Sequence, residues 1–157
     1  MMERTLVLVK PDGVARGLVG KILARVEAKG LRLAGLKLMG LSRELAERHY
    51  EAHRGKPFYP GLIRFITSGP VVAACLEGRK AIESVRRLAG ATDAAEAVAG
   101  TIRGDLASSN RFNLVHASDS PESAARELAN FFSPGELLET GRDSLRWLYD
   151  LSEGEPL

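Results

Sequence analysis

Four short apolar runs, each separated from the next by a stretch of helical periodicity, limit the folds open to this chain more than any other feature. Thr5-Leu6-Val7-Leu8-Val9 reads as a strand stopped by the turn Lys10-Pro11-Asp12-Gly13, where proline removes a donor and glycine permits positive φ. Leu18, Ile22, Leu23 and Val26 recur at helical spacing with Gly30 as C-cap, and Leu31 to Leu41 then alternates as a second strand. Ser42 is placed to cap a helix containing Leu45, His49 and Tyr50. Pro57-Phe58-Tyr59-Pro60-Gly61 breaks that helix ahead of a second amphipathic piece, Leu62 to Thr67. Val71 to Leu76 predicts a buried strand, Lys80 to Leu88 a helix, Gly90 to Arg111 a long irregular segment, and Phe112 to His116 the last strand. Ser120-Pro121 opens the following helix in cap-then-N1 order. The order β-α-β-(α)-β-α-β predicts an α+β, ferredoxin-like split βαβ fold, a four-stranded antiparallel sheet with helices packed on one face.

A chain of 157 residues, 45% of them hydrophobic, builds one core, so residues 1–157 are expected to form a single domain. The tail from Ser133 has the capping box Ser133-Pro134-Gly135-Glu136 and too few apolar residues for a second core. Residues 133–157 therefore read as an arm packing on the domain or on a neighbouring subunit. The charge balance, 22 basic against 20 acidic residues, lacks the excess of a dedicated nucleic-acid binder, and any anion site must be a local cluster. One cysteine, Cys75, rules out an intrachain disulfide and a multi-cysteine metal site, which fits a reducing cytoplasm. No apolar run suggests a membrane span, and the first residues run straight into a strand-like segment rather than a signal peptide.

The usual phosphate motifs fail. A P-loop needs a glycine separated by four residues from Gly20-Lys21, where Ala15 stands, and Ile22 follows the lysine instead of serine or threonine. No Gly-x-Gly-x-x-Gly supports a dinucleotide fold. His49 and His53 have the i, i+4 spacing of a zinc pair, but the glutamate of His49-Tyr50-Glu51-Ala52-His53 is one position out of register, and solvated helix-face histidines are the better account. His116 differs, because it ends a buried strand with polar neighbours on both sides. Alone, it reads as a hydrogen-bonded structural residue. Beside Arg86, Thr92 and Arg103, a neutral imidazole becomes a candidate nucleophile towards phosphorus, since phosphoryl transfer depends on cations and donors placed around the equatorial oxygens.

Taken together, Lys10-Pro11-Asp12-Gly13-Val14, Arg16-Gly17-Leu18-Val19-Gly20, Ser68-Gly69-Pro70-Val71, Gly100-Thr101-Ile102-Arg103-Gly104-Asp105 and Asn113-Leu114-Val115-His116-Ala117-Ser118-Asp119-Ser120 resemble nucleoside diphosphate kinase. Trp147-Leu148-Tyr149 is similar to the ending of the longer, typically hexameric members. The resemblance implies a ping-pong reaction in which His116 takes the γ-phosphate of a triphosphate, typically ATP, and passes it to a second diphosphate. It further implies that Lys10 contacts sugar and phosphate with Tyr50 beside it, that Asn113 bonds the ribose, and that Phe58 and Leu62 sandwich the base. Arg86, Thr92 and Arg103 would hold phosphates, and Mg²⁺ would bridge phosphate oxygens with Asp119 reached through water. Ser118 and Glu127 would orient the imidazole from behind. A homo-oligomer is expected, a hexamer ahead of a tetramer. Stacking reads no hydrogen-bond edge, so broad base acceptance follows.

Departures from the family pattern carry expectations of their own. Ala117 follows the histidine where glycine is common, which restricts the backbone beside the nucleophile. Asp93 to Gly100 lacks prolines at Ala94 and Ala99, which predicts a more flexible loop. Phe112 stands where a polar residue is common, and the sequence offers no account of it. Two other functions remain in view. A catalytically silent nucleotide-binding regulatory module would be expected to lose His116 or a phosphate-holding arginine, and all are present. A ferredoxin-like nucleic-acid module would show rings on an open sheet face, yet only 6% of residues are aromatic, leaving single-strand binding at most secondary.

Overall fold

A computed structural model of the protein describes residues 1–141, 144–150 and 152. Its sheet has the order β2-β3-β1-β4, with every neighbouring pair antiparallel. The strands are β1 (Met2–Val9), β2 (Arg32–Met39), β3 (Val71–Arg79) and β4 (Val115–Ala117). The helices are α1 (Pro11–Ala15), α2 (Val19–Ala28), α3 (Arg43–His49), α4 (Tyr59–Ile66), α5 (Ala81–Ala89), α6 (Ile102–Leu106), α7 (Pro121–Phe131) and α8 (Leu145–Leu148). Single 3₁₀ turns occupy Glu51–His53 and Pro134–Glu136.

Alternation along the central strand explains the layering. Val7 and Val9 enter one core with Ile22 and Val26 of α2 and Val85 of α5. Leu6 and Leu8 enter another with Ala46 of α3, Ile63 and Ile66 of α4, and Leu128 and Phe131 of α7. Successive side chains of a strand point to opposite faces, so a central strand buried on both sides needs a helical cover on both. The expectation of helices on one face is therefore corrected: they cover both. Among the described residues no helix is long and apolar enough to cross a membrane.

Local chemistry sets the element boundaries. Ser42 caps α3 by accepting from Leu45 N at 3.1 Å, and Ser120 caps α7 by accepting from Ser123 N at 3.1 Å, with Pro121 in the first turn. Gly30 ends the α2 region at φ +93°. Three expectations change. The helix expected from Leu62 begins at Tyr59, because Pro60 sits in its first turn, where a missing N–H costs nothing. The long segment after Gly90 is not wholly irregular, since Thr101 Oγ1 accepts from Gly104 N at 3.0 Å and caps α6. The strand expected from Phe112 begins only at Val115, because Leu114 adopts φ +72°.

The tail lies against the domain. Leu138 N donates to Ala34 O at 2.7 Å, Arg32 Nη1 donates to Thr140 O at 2.7 Å, and Tyr149 Oη accepts from Arg79 N at 3.0 Å. Leu145 is buried. The end of the expected arm, Leu151 and residues 153–157, lies outside the described residues, as do Arg142 and Asp143.

Candidate active site

At the ends of β1 and β4 a cleft of about 620 Å³ opens, lined by Lys10, Tyr50, Phe58, Leu62, Arg86, Thr92, Arg103, Asn113, His116 and Asp119. Every residue expected to face nucleotide is thus in one place, gathered from six regions of the chain. Ser118 and Glu127 lie behind it, both buried.

His116 sits on β4 opposite Leu8 of β1. Helix α7 buries Ala124, Glu127, Leu128 and Phe131, a three-and-four spacing that turns Glu127 towards the sheet. There Glu127 Oε2 lies 2.9 Å from His116 Nε2 and accepts from Ser118 Oγ at 2.7 Å. Burial pushes the Glu127 carboxyl up, but the His116 hydrogen bond and charge, with the Ser118 bond, outweigh it and hold the group below the usual range. An ionised carboxylate only accepts, so Nε2 carries the proton and Nδ1 keeps its lone pair. Ser118 is locked in turn, its Oγ accepting from Leu6 N at 3.3 Å and its N donating to Leu6 O at 3.2 Å.

Cations gather in the same cleft. Lys10, 7% exposed, donates from Nζ to Asn113 Oδ1 at 2.5 Å, and Asn113 Nδ2 donates to Thr92 O at 2.8 Å, so three expected nucleotide contacts form one chain. Burial, then the nearby Arg103, lowers Lys10 to about 8 against the pull of Asp12. Arg103 donates to Asn113 O at 3.2 Å, Gly90 O at 2.8 Å and Val115 O at 2.7 Å. Burial and then Arg86 lower it to about 10. Arg86 donates to Ala117 O at 3.4 Å. Two guanidiniums and an ammonium concentrated against a buried wall favour an anion in the cleft.

Leu114 makes the strand end abruptly. It is fully buried at φ +72°, held by Lys10 N donating to its carbonyl at 2.8 Å and by its own N donating to Asp12 Oδ2 at 3.1 Å. The kink presents Asn113 to Lys10. Tyr50 is buried, and burial, followed by Glu127, raises its hydroxyl pKa. Phe58 is 49% exposed at the cleft mouth, with its ring centroid 5.4 Å from that of His53.

Other residues depart from the sequence reading. His49 is not solvated: it is 5% exposed and packs against His116, because Leu45, Ala46, His49 and Tyr50 share the inward side of α3. That spacing was a usable signal. Asn110 and Arg111 also line the cleft, with no motif to reveal them. Phe112 gains an account, since its ring meets Phe65 of α4 at 5.1 Å and pins the loop. Ala117 is buried and pairs with Val7, so its methyl joins the core. Asp119 lines the cleft, and a Ser123 hydrogen bond foremost holds its carboxyl below the usual range. Among the described residues His49, His116 and Glu127 bring ligand-type atoms within 4.8 Å of one another, but the His116–Glu127 pair is already closed by a hydrogen bond.

Comparison with known proteins places the chain among relatives by family, sequence and fold. Residues 3–137 match the family model of nucleoside diphosphate kinase. The chain is 61% identical over 137 residues to a nucleoside diphosphate kinase of Thermus thermophilus, covering 87% of this chain and 100% of that one. To that of Thermomicrobium roseum it is 57% identical over 147 residues, covering 94% and 99%. Among solved structures, the Halobacterium salinarum nucleoside diphosphate kinase in complex with CDP superposes with a TM-score of 0.93 at 50% identity, covering 96% of this chain and 100% of that one. The Aquifex aeolicus enzyme superposes at 0.86 and 45% identity, covering 88% and 100%.

Proposed function

This chain belongs to the nucleoside diphosphate kinase family, and from that premise we propose that it passes the terminal phosphate of a nucleoside triphosphate to a nucleoside diphosphate through His116, in two half-reactions at one site. The observation that carries the proposal is the 2.9 Å contact of His116 Nε2 with Glu127, which leaves Nδ1 as the free nitrogen of a ring lining the cationic cleft.

In the first half-reaction the Nδ1 lone pair attacks the γ-phosphorus. A nitrogen–phosphorus bond forms as the bond to the β-phosphate oxygen breaks, and the diphosphate leaves with that electron pair. The ring gains positive charge while keeping its Nε2 proton, and the Glu127 carboxylate stabilises it, with Ser118 fixing the accepting oxygen. In the second half, a terminal oxygen of the incoming diphosphate attacks the same phosphorus and the lone pair returns to Nδ1. Arg86, Thr92 and Arg103 hold the phosphates, and Lys10 reaches sugar and transferring phosphate beside Tyr50. Asn113 holds the ribose, and Phe58 with Leu62 holds the base. Phe58 lines the cleft and is 49% exposed, which favours stacking without base selection.

Mg²⁺ fits this donor set in one manner. The only carboxylate lining the cleft is Asp119, held ionised, so among the described residues the protein offers one ligand, best reached through water. The ion would neutralise phosphate charge and align the chain of phosphates. A cytoplasmic setting and a homo-oligomer, a hexamer ahead of a tetramer, belong to the same proposal. Support for self-association comes from edge strand β2, which exposes Leu36 and Leu38 by 50% and 67%.

Steady-state kinetics with ATP and varied diphosphates test the reading. Parallel double-reciprocal lines are expected, with phosphate acceptance by several bases. Intersecting lines would exclude a phosphoenzyme.

A further inference from the structure

His49 is a buried titratable group beside the nucleophile that this reaction scheme leaves unused. Its ring centroid lies 4.5 Å from that of His116 at an interplanar angle of 81°, an edge-to-face contact. It also packs against Tyr50 at 4.5 Å and Phe131 at 5.2 Å between ring centroids, the latter on the same helix as Glu127. Both ring nitrogens are buried without a hydrogen-bond partner. One lies within 4.8 Å of ligand-type atoms of both His116 and Glu127. A ring kept for packing alone would be met at lower cost by phenylalanine, because each unmade hydrogen bond in the interior is destabilising.

The Glu127 bond fixes one point of the His116 ring. A single hydrogen bond tolerates rocking of that ring about the line from Cβ to Nε2, and such rocking swings Nδ1 out of line with the cleft. The edge-to-face contact between the two rings opposes that rocking. We propose that His49 is a positioning residue for His116: its neutral imidazole holds the plane of the nucleophile and sets a polar ring beside the His116–Glu127 pair, so that Nδ1, left free by the Glu127 bond to Nε2, stays aimed into the cleft. Burial first, and the adjacent His116 second, push His49 down to about 3, so the ring brings no competing charge.

This inference rests on His116 as phosphate acceptor, and the experiment separates the two. Single-turnover phosphorylation by ATP and the ¹⁵N shifts of His116 are compared in wild type, His49→Ala and His49→Phe. Phosphorylation of His49→Ala is expected to be about tenfold slower with nucleotide KM within twofold, and the His116 ring ¹⁵N signals should broaden or split as the ring rocks. Phenylalanine restores the wall without the ring nitrogens and should recover part of the rate. A wild-type rate in His49→Ala overturns the proposal, as does a slowed rate with the wild-type His116 ¹⁵N signals unchanged in both variants. Failure of the His116 reading would show instead as wild-type protein that takes up no phosphate.

Discussion

His116 and Glu127 are joined Nε2 to Oε2 at 2.9 Å, and the same carboxylate oxygen receives Ser118 Oγ at 2.7 Å. Concentrating both donors on one oxygen decides which histidine nitrogen is free. Glu127→Gln keeps the shape but removes the charge and permits the wrong tautomer, so kcat should fall by about 100-fold. Ser118→Ala removes one net hydrogen bond of about 1 kcal/mol, and the fall should be nearer fivefold. Rapid-quench measurement of phosphoenzyme formation in both variants checks the ranking. Because the folded Glu127 pKa is lowered, its contribution to stability is fully present above the ordinary glutamate range and is lost as pH falls below that range.

Lys10 couples function and stability with opposite signs. Its pKa is lowered by burial to about 8, so the free enzyme loses the cation as pH rises through that value, and kcat/KM for nucleotide should fall there. The unfolded chain holds the proton until about 10.4, so between about 8 and 10 it binds more protons than the folded one. Unfolding free energy should therefore gain a positive term with pH in that window. Denaturant titrations of wild type and Lys10→Met across the range, with kcat/KM alongside, test both signs. The variant should lose the rise and at least tenfold in kcat/KM.

Leu114 predicts a reversal of the usual alanine–glycine order. Emptying its fully buried site should cost about 3 kcal/mol in Leu114→Ala. At φ +72° glycine avoids the side-chain strain that alanine keeps, so Leu114→Gly should be no less stable than Leu114→Ala, and up to about 1 kcal/mol more so. Urea midpoints at a common m-value give the comparison.

Gly104 and Gly20 form a matched contrast. A Cβ on Gly104 would stand 2.0 Å from Val98 O, backbone that can yield only by displacing α6 and the Arg103 it carries. Gly104→Ala should cost more than about 2 kcal/mol and raise nucleotide KM. A Cβ on Gly20, in α2, meets nothing within 4 Å, and Gly20→Ala should gain up to about 1 kcal/mol. Thermal melts of the two variants should move in opposite directions.

Periodicity reveals whatever is repeated locally. Strands β1 to β3, the Ser42 and Ser120 caps and the order of elements were legible because each depends on neighbours within a few residues. The second layer of helices was less so: only strand order places β1 inside the sheet with both faces to cover. The end of β4 was hidden because Leu114 takes its left-handed turn from contacts with Lys10 and Asp12, about a hundred residues away. At the site, the ordered motifs pointed to residues that the fold gathers around one cleft. His49 escaped because its charge type suggested solvent, although its helical spacing with Leu45 and Ala46 put it inside. Asn110 and Arg111 reach the cleft through loop geometry alone.

Incubation with γ-labelled ATP, followed by acid and base treatment and site mapping, bears most directly on the central claim. Label on His116 that survives base, is lost in acid and chases onto added diphosphate is the predicted result. Wild-type protein that takes up no label, or undiminished label on His116→Ala, would contradict it.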